Sequence, residues 1–240
     1  MAYTTIDNPE LYFQTKLYTG NSSTQSITFD GSENMQPDWV WCKARSQADN
    51  HAIFDSVRGG QKQLRSNTTG AELTRTNAIS SFNSDGFSMG SQPEMNTNGQ
   101  TYASWNWKAG GSASSNTAGS ITSSVSANQE AGFSIVKFPA TNTSINVGHG
   151  LGVEPSMIIW KNLDTADNWY VYHKDLSSPN TQWLNLNLNS TVTTNSTYNF
   201  SSVTSTTFTT HLFAGSGTNN IVSYCFTSIP GYSQVGSYVG

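Results

Sequence analysis

Few groups in this chain are able to do chemistry, and their spacing decides what they can do. A glycan-hydrolase reading needs two carboxylates facing each other across a cleft, roughly 5–10 Å apart. The candidates are Asp30, Glu33, Asp38 and Glu154. When the two halves of the chain are aligned, Asp38 meets Ser156 and Glu33 meets Leu151-Gly152, so these acids read as solvated turns and strand edges. The histidines are His51, His149, His173 and His211, and no Gly-x-Ser-x-Gly elbow accompanies them. Cys42 sits inside an aromatic run with no activating cue, which leaves nucleophilic catalysis without a centre. Gly148-His149-Gly150-Leu151-Gly152 precedes an apolar strand-like run instead of opening a helix, so it is not a phosphate cradle. Ala-Asp-Asn occurs at 48–50 and again at 166–168. Two acidic oxygens fall short of a calcium shell, and Asp and Asn favour turns through bonds to the local backbone. No catalytic residue, cofactor or metal ligand is expected.

Aromatic side chains are the remaining candidates, as platforms on which a sugar ring stacks. Trp39 and Trp41, like Trp105 and Trp107, are two residues apart, so within a strand each pair shares a face. Their aligned positions in the second half hold Met157, Ile159, Tyr224 and Phe226, a replacement pattern expected of core filling. Trp169 and Trp183 have no aromatic counterpart and are the expected ligand contacts.

The elements that must position these residues are strands. Val153–Lys161 and Trp169–His173 are β-branched and aromatic runs bounded by turn formers. Trp183-Leu-Asn-Leu-Asn-Leu-Asn189 alternates with period two, which predicts a half-buried strand with Leu184, Leu186 and Leu188 on one face. Asp30-Gly31, Asp85-Gly86 and Asn98-Gly99 supply turn chemistry between apolar segments. The one helix-like stretch, Gly70–Ser81, has its apolar residues poorly spaced and is expected to form at most a single turn.

Three anchors recur in the same order. Tyr12-Phe-Gln-Thr-Lys-Leu-Tyr18 corresponds to the run through Phe133-Ser-Ile-Val-Lys-Phe138, Met35–Lys43 to Val153–Lys161, and Tyr102–Trp107 to Ile221–Phe226. The expected organisation is an all-β chain of two tandem β-sandwich, jelly-roll-like domains related by internal duplication. Its parts are an N-terminal arm over 1–11, a first repeat over 12–109, a Gly/Ser-rich flexible linker over 110–131 and a second repeat over 132–231. Residues 232–240 echo the first anchor and read as a C-terminal strand or the start of a further repeat. The arm is a candidate for docking onto a neighbouring subunit, the alternative being an ordinary loose terminus. Ile121–Val125 is either an extended arm or a short edge strand.

Composition bounds the function. Charged residues are 11% of the chain against about 25% in a typical globular protein. Aromatics at 12% supply ample core, so low charge here does not mean disorder. A formal net charge of -4 gives no basic field for nucleic acid. No apolar stretch is long enough for membrane insertion, and the opening residues lack the pattern of a signal peptide. Cys42 and Cys225 would have to bridge the two repeats to form a disulfide; the alternative is two buried thiols.

At Tyr18-Thr-Gly-Asn-Ser-Ser23, Ile27-Thr-Phe-Asp-Gly31, Met35–Lys43, Asp55-Ser-Val-Arg-Gly59, Val147–Pro155 and Gly236-Ser-Tyr-Val-Gly240, the chain resembles a family of uncharacterised structural proteins of tailed bacteriophages, frequent in marine and cyanobacterial phages. The resemblance implies a non-enzymatic virion protein, and it supplies no catalytic residues. A tail-fibre or adhesin role is expected, with other virion proteins as partners, a homo-oligomer (a trimer by analogy with fibres) and contact with host surface glycan through Trp169 and Trp183. The alternatives are a capsid decoration protein, whose contacts would use the first repeat with its eight of eleven basic residues, and a free carbohydrate-binding module or glycan hydrolase.

Overall fold

Period-two alternation builds the first half. In the computed structural model, which describes residues 5–211 and 217–238, its strands are β1 (Phe13–Thr19), β2 (Gln25–Ile27), β3 (Trp39–Ala44), β4 (Ala52–Asp55), β5 (Lys62–Gln63), β6 (Leu73–Thr74), β7 (Ile79–Phe82), β8 (Phe87–Met89) and β9 (Thr101–Trp107). An antiparallel sheet in the order β1-β9-β3-β4 faces a smaller one in the order β2-β8-β7. Tyr18, Val40, Phe54, Phe87, Met89 and Tyr102 fill the space between them. Tyr102, Ser104 and Asn106 point into this core, which turns Ala103, Trp105 and Trp107 to the opposite face of the sheet. The Asp85-Gly86 turn joins β7 to β8 as its sequence predicts. Gly86 has φ +91°, and a Cβ there would lie 1.9 Å from the Ile27 carbonyl oxygen, so no other residue fits.

The second half repeats this pairing scheme with β10 (Ser114–Asn116), β11 (Ser123–Asn128), β12 (Phe133–Ala140), β13 (Ile145–Gly148), β14 (Met157–Asn162), β15 (Tyr170–His173), β16 (Gln182–Asn185), β17 (Thr193–Thr194), β18 (Asn199–Ser201), β19 (Thr207–His211) and β20 (Asn219–Phe226). The main sheet runs β10-β11-β12-β20-β14-β15-β16-β17, and β13-β19-β18 covers one face. Its centre, β12-β20-β14-β15, has the order of β1-β9-β3-β4, and β13-β19-β18 has that of β2-β8-β7. Registers correspond as well. Phe13, Trp107, Trp39 and Asp55 form one row across the first sheet, and Phe133, Phe226, Met157 and His173 form the matching row across the second.

The two halves do not follow one another end to end; their main sheets stack face to face. Each half is a β-sandwich with its own core, and a third core of Trp39, Ile53, Phe133, Ile159, Val222 and Tyr224 lies between the sandwiches, which makes four layers. Trp39 is 1% exposed and its ring lies 4.5 Å from that of Tyr224 and 5.6 Å from that of Phe133. Polar contacts cross the same boundary. Tyr224 donates its hydroxyl to Asp55 at 2.8 Å and accepts from Arg58 at 3.3 Å, while within the first half Arg58 donates Nε to Asp55 at 2.5 Å and another nitrogen to Glu72 at 3.0 Å. Lys161 Nζ donates to the carbonyls of Thr69 and Asp167, and the Trp169 indole N–H donates to the Arg65 carbonyl at 2.9 Å. Burial pushes the Lys161 ammonium down to about 8.

Three sequence expectations are corrected. Residues 110–131 are not a flexible linker, because β10 and β11 extend the main sheet beyond β12. Small residues supply little core of their own, yet their backbones pair, Val125 is buried, and Ser126 Oγ accepts from the Gly110 amide while donating to the Gly111 carbonyl. Residues 5–11 are neither a free arm nor a loose end. Ile6 is buried, Asn8 caps a short 3-10 turn at Pro9–Leu11, and Glu10 accepts from the Ser32 amide and hydroxyl, which returns the segment to its own half. Residues 1–4 lie outside the described residues. Gly70–Ser81 contains β6 and the start of β7, within the expectation of at most a single helical turn. The alternating run after Trp183 is a strand only to Asn185; Trp183 faces the core, and Leu186 and Leu188 are exposed. Asn187 explains the break, since its side chain accepts from the Trp169 amide and donates to Asn168.

Candidate functional site

The outward face of β1-β9-β3-β4 is only partly covered by the second half. Row by row it carries Phe13, Trp107, Trp39 and Asp55; then Thr15, Trp105, Trp41 and Ile53; then Leu17, Ala103 and Lys43. In the first row Trp39 and Asp55 are buried, with Phe133, Tyr224 and Phe226 against Trp39, while Phe13 and Trp107 are half-buried. In the rows beyond, Ile53 is buried, but Trp105 is 36% and Leu17 60% exposed and Trp41 is half-buried. Trp41, Trp105, Trp107 and His51 line an open groove of about 300 Å³.

One indole in this groove is fixed by a hydrogen bond. Trp41 donates its indole N–H to His51 Nδ1 at 2.8 Å, and the two rings meet edge to face at 5.7 Å. His51 must therefore be neutral at Nδ1 to hold Trp41. Burial, aided by the nearby Lys43 ammonium, lowers the His51 pKa below the ordinary imidazole value of 6.5, which favours that form. The His51 amide in turn donates to Asn67 Oδ1, anchoring the residue at the mouth of β4. The groove thus presents indole faces in a surface that carries no charge at neutral pH. Such faces are electron-rich and take a ring or cation that offers polarised C–H bonds.

The expected contacts Trp169 and Trp183 do not form a site. Trp169 is 0% and Trp183 7% exposed, the first sealed in the core between the sandwiches and the second in the core of the second half. They lack aromatic counterparts because they fill space at the β15–β16 edge, where Trp183 meets Tyr170 edge to face at 5.9 Å. Conversely, Trp41, Trp105 and Trp107, expected as core, line the exposed groove. Their spacing shows a shared face; what it does not show is how far the other half extends over that face.

The remaining polar candidates are structural. Asp38 is buried and accepts from Ser56 Oγ and from the amides of Ala109 and Gly111, tying the end of the first half to the chain that follows. Asp30 pairs with Lys16, while Glu33 and Glu154 are exposed on loops. His149 is buried, its Nδ1 accepting from the Leu151 amide and its Nε2 set against the Thr204 carbonyl. Asp49 and Asp167 each accept from the amide of the following asparagine, at 2.9 and 2.8 Å, which makes both Ala-Asp-Asn repeats the same turn. Cys42 and Cys225 are buried and unbridged, and burial pushes both thiols up to about 12. Among the described residues no three His, Cys, Asp or Glu side chains gather as a metal site, and no helix is long and apolar enough to cross a membrane.

Comparison with known proteins gives one assignment: residues 8–240 match the model of the family described as Domain of unknown function (DUF7483), and the chain belongs to that family. No curated protein and no solved structure matches it.

Proposed function

We propose that this DUF7483 member is a non-catalytic component of a bacteriophage particle, of the tail-fibre or adhesin type, that touches the host surface through the uncovered aromatic end of the first main sheet. The observation that carries the contact is the exposed face of Trp105 beside a hydrogen-bonded Trp41, on a scaffold clamped by three cores. Placement on a phage particle rests on the resemblance of the sequence blocks given above. One module copied and stacked on itself is the economical account of the scaffold, supported by the matching strand order and registers. Few surface charges make the contact insensitive to salt, which suits a particle working in seawater. Assembly as a homo-oligomer, a trimer by analogy with fibres, belongs to the same reading.

The capsid-decoration alternative draws less support, because half of the eight basic residues of the first half are committed: Arg58 is enclosed, and Lys16, Lys62 and Arg65 pair with Asp30, Glu72 and Glu94. The test is twofold. Antibody labelling of particles should mark the tail in tens of copies or fewer, and fluorescent protein should adsorb to marine bacterial or cyanobacterial cells unless Trp105 is replaced by Ala. Labelling spread over the head, or adsorption unchanged by Trp105→Ala, refutes the reading.

A further inference from the structure

We infer that the groove of Trp41, Trp105, Trp107 and His51 is a subsite for one uncharged pyranose ring of a surface polysaccharide, stacked on Trp105 and braced by the His51-held Trp41. This rests on the adhesive reading above and specifies its ligand.

Size decides between occupants. A Trp side chain offers at most about 250 Å², so 36% exposure of Trp105 presents roughly 90 Å². Leu17 and the half-buried indoles add to that, but the patch falls far short of the roughly 800 Å² per partner that a stable protein interface buries. A second copy of the chain is thereby disfavoured at this face. The groove, at about 300 Å³, stands at the small end of ligand sites and suits a single ring.

Charge decides between ligands. The lining holds no ionised group at neutral pH, and Lys43, the nearest cation in the adjoining row, donates its ammonium to the Ala44 carbonyl at 2.8 Å. A nucleotide brings phosphates into the field of a chain of net charge -4 with that one committed cation nearby, and a quaternary ammonium calls for a closed cage where this groove is open. A pyranose needs neither. Its C–H face lies on electron-rich indole, and its hydroxyls point outward to water and toward the Thr15 and Thr101 edges of the same face. His51 is a positioning residue here: with its Nδ1 accepting, the Trp41 ring is held at a fixed angle to the groove.

Tryptophan fluorescence titration of the whole chain tests this with methyl glycosides of glucose, galactose, mannose and N-acetylglucosamine and their short oligomers. At least one series should give a saturable change at millimolar concentration. Trp105→Ala should weaken it at least tenfold, Ala103→Arg, which adds bulk on the same face without removing an indole, should weaken it comparably, and Leu17→Ala should leave it within twofold. Melting curves identify any variant that fails to fold, and two groove variants keep the test intact if one does. Absence of a saturable signal for every glycoside, or binding that survives both groove variants, overturns the inference. The two readings separate cleanly: cell adsorption lost in Trp105→Ala without saccharide binding keeps the adhesive surface and removes the pyranose, whereas adsorption unchanged by Trp105→Ala removes both.

Discussion

Arg58→Met should be among the costliest single changes in this molecule, although it touches no groove. Arg58 is enclosed, and its Nε meets Asp55 at 2.5 Å while its other nitrogens reach the Lys62 carbonyl, Glu72 and the Tyr224 hydroxyl at 2.9, 3.0 and 3.3 Å. The desolvation cost of Asp55 and Arg58 is met only jointly, so losing the cation leaves a 0% exposed carboxylate with the residue-58 amide and the Tyr224 hydroxyl as its remaining donors. Breaking a buried pair from one side costs about 3–5 kcal/mol. At about 2–4 °C per kcal/mol for a chain of this size, Tm should fall by roughly 6–20 °C. Tyr224→Phe removes the hydrogen bond donated to Asp55 and the longer one accepted from Arg58 but keeps the ion pair, so its cost should be smaller, about 1.5–3 kcal/mol. The double variant should fall short of the sum, because the groups share one network. Replacing Asp55, Arg58 and Tyr224 together by Leu, Met and Phe should recover most of the loss, since no charge is then stranded. Urea unfolding followed by both circular dichroism and tryptophan emission reads all of these. An Arg58→Met cost below about 1 kcal/mol, or two separated transitions in the wild type, would refute the claim that this network locks the halves into one cooperative body.

Three further outcomes follow from burial. His51 and His149 are both held below 6.5, chiefly by burial, so on acidification the unfolded chain takes up these protons first. Stability should therefore decline as pH falls below about 6.5, and the decline in Tm between pH 7.5 and 5 should be smaller in His149→Gln. Lys161 stands at about 8 against an ordinary 10.5, so between these values the unfolded chain holds the extra proton and this group favours folding more as pH rises. Wild type should gain stability relative to Lys161→Met from pH 7.5 to 9, a difference that cancels the opposite trend of Cys42 and Cys225 common to both proteins. Trp169→Ala should cost about 3–5 kcal/mol in urea unfolding while leaving saccharide affinity per folded molecule unchanged.

Strand character was legible because period-two alternation is local and repeated along the chain. Alternation put Trp39 with Trp41 and Trp105 with Trp107 on shared faces, and the three recurring anchors align the halves in the registers that the two main sheets adopt. The Asp85-Gly86 turn carried its own conformational requirement. What failed did so because it is set by partners distant in sequence. Trp169 has polar and turn-forming neighbours on one side, and only the arrival of the 64–72 segment of the first half, with the Arg65 carbonyl on its indole N–H, encloses it. Serine-rich 110–131 read as linker because composition reports side-chain volume, whereas β10 and β11 are held by backbone pairing at the margin of a sheet that already exists. Asn187 broke an alternation that looked continuous, through one side-chain bond to a residue eighteen positions away.

Lys43 and Lys161 show how one stacked architecture buries one sheet face and leaves part of the equivalent face uncovered. They are equivalent in register, each two residues beyond the position of Trp41 or Ile159 and paired with Ala103 or Val222. Lys161 is 0% exposed, because segment 64–72 closes over it and supplies the Thr69 carbonyl. Lys43 is half-buried, because nothing from the second half reaches that far. Perfectly symmetric stacking would cover both positions or neither; the offset of the two sheets covers Lys161 in the second face and leaves Trp105 and Leu17 of the first exposed. The residues follow the offset. Where the face is sealed, the rows hold Ile159, Val171, Val222 and Tyr224, shapes that pack against another sheet. Where it is bare, the same register holds Trp41 and Trp105, one of them tied to a histidine that the sealed half replaces with the buried Trp169. A pair of indoles kept at the less covered end of the first face, where the second face packs against another sheet, is the difference between the halves on which the adhesive proposal rests.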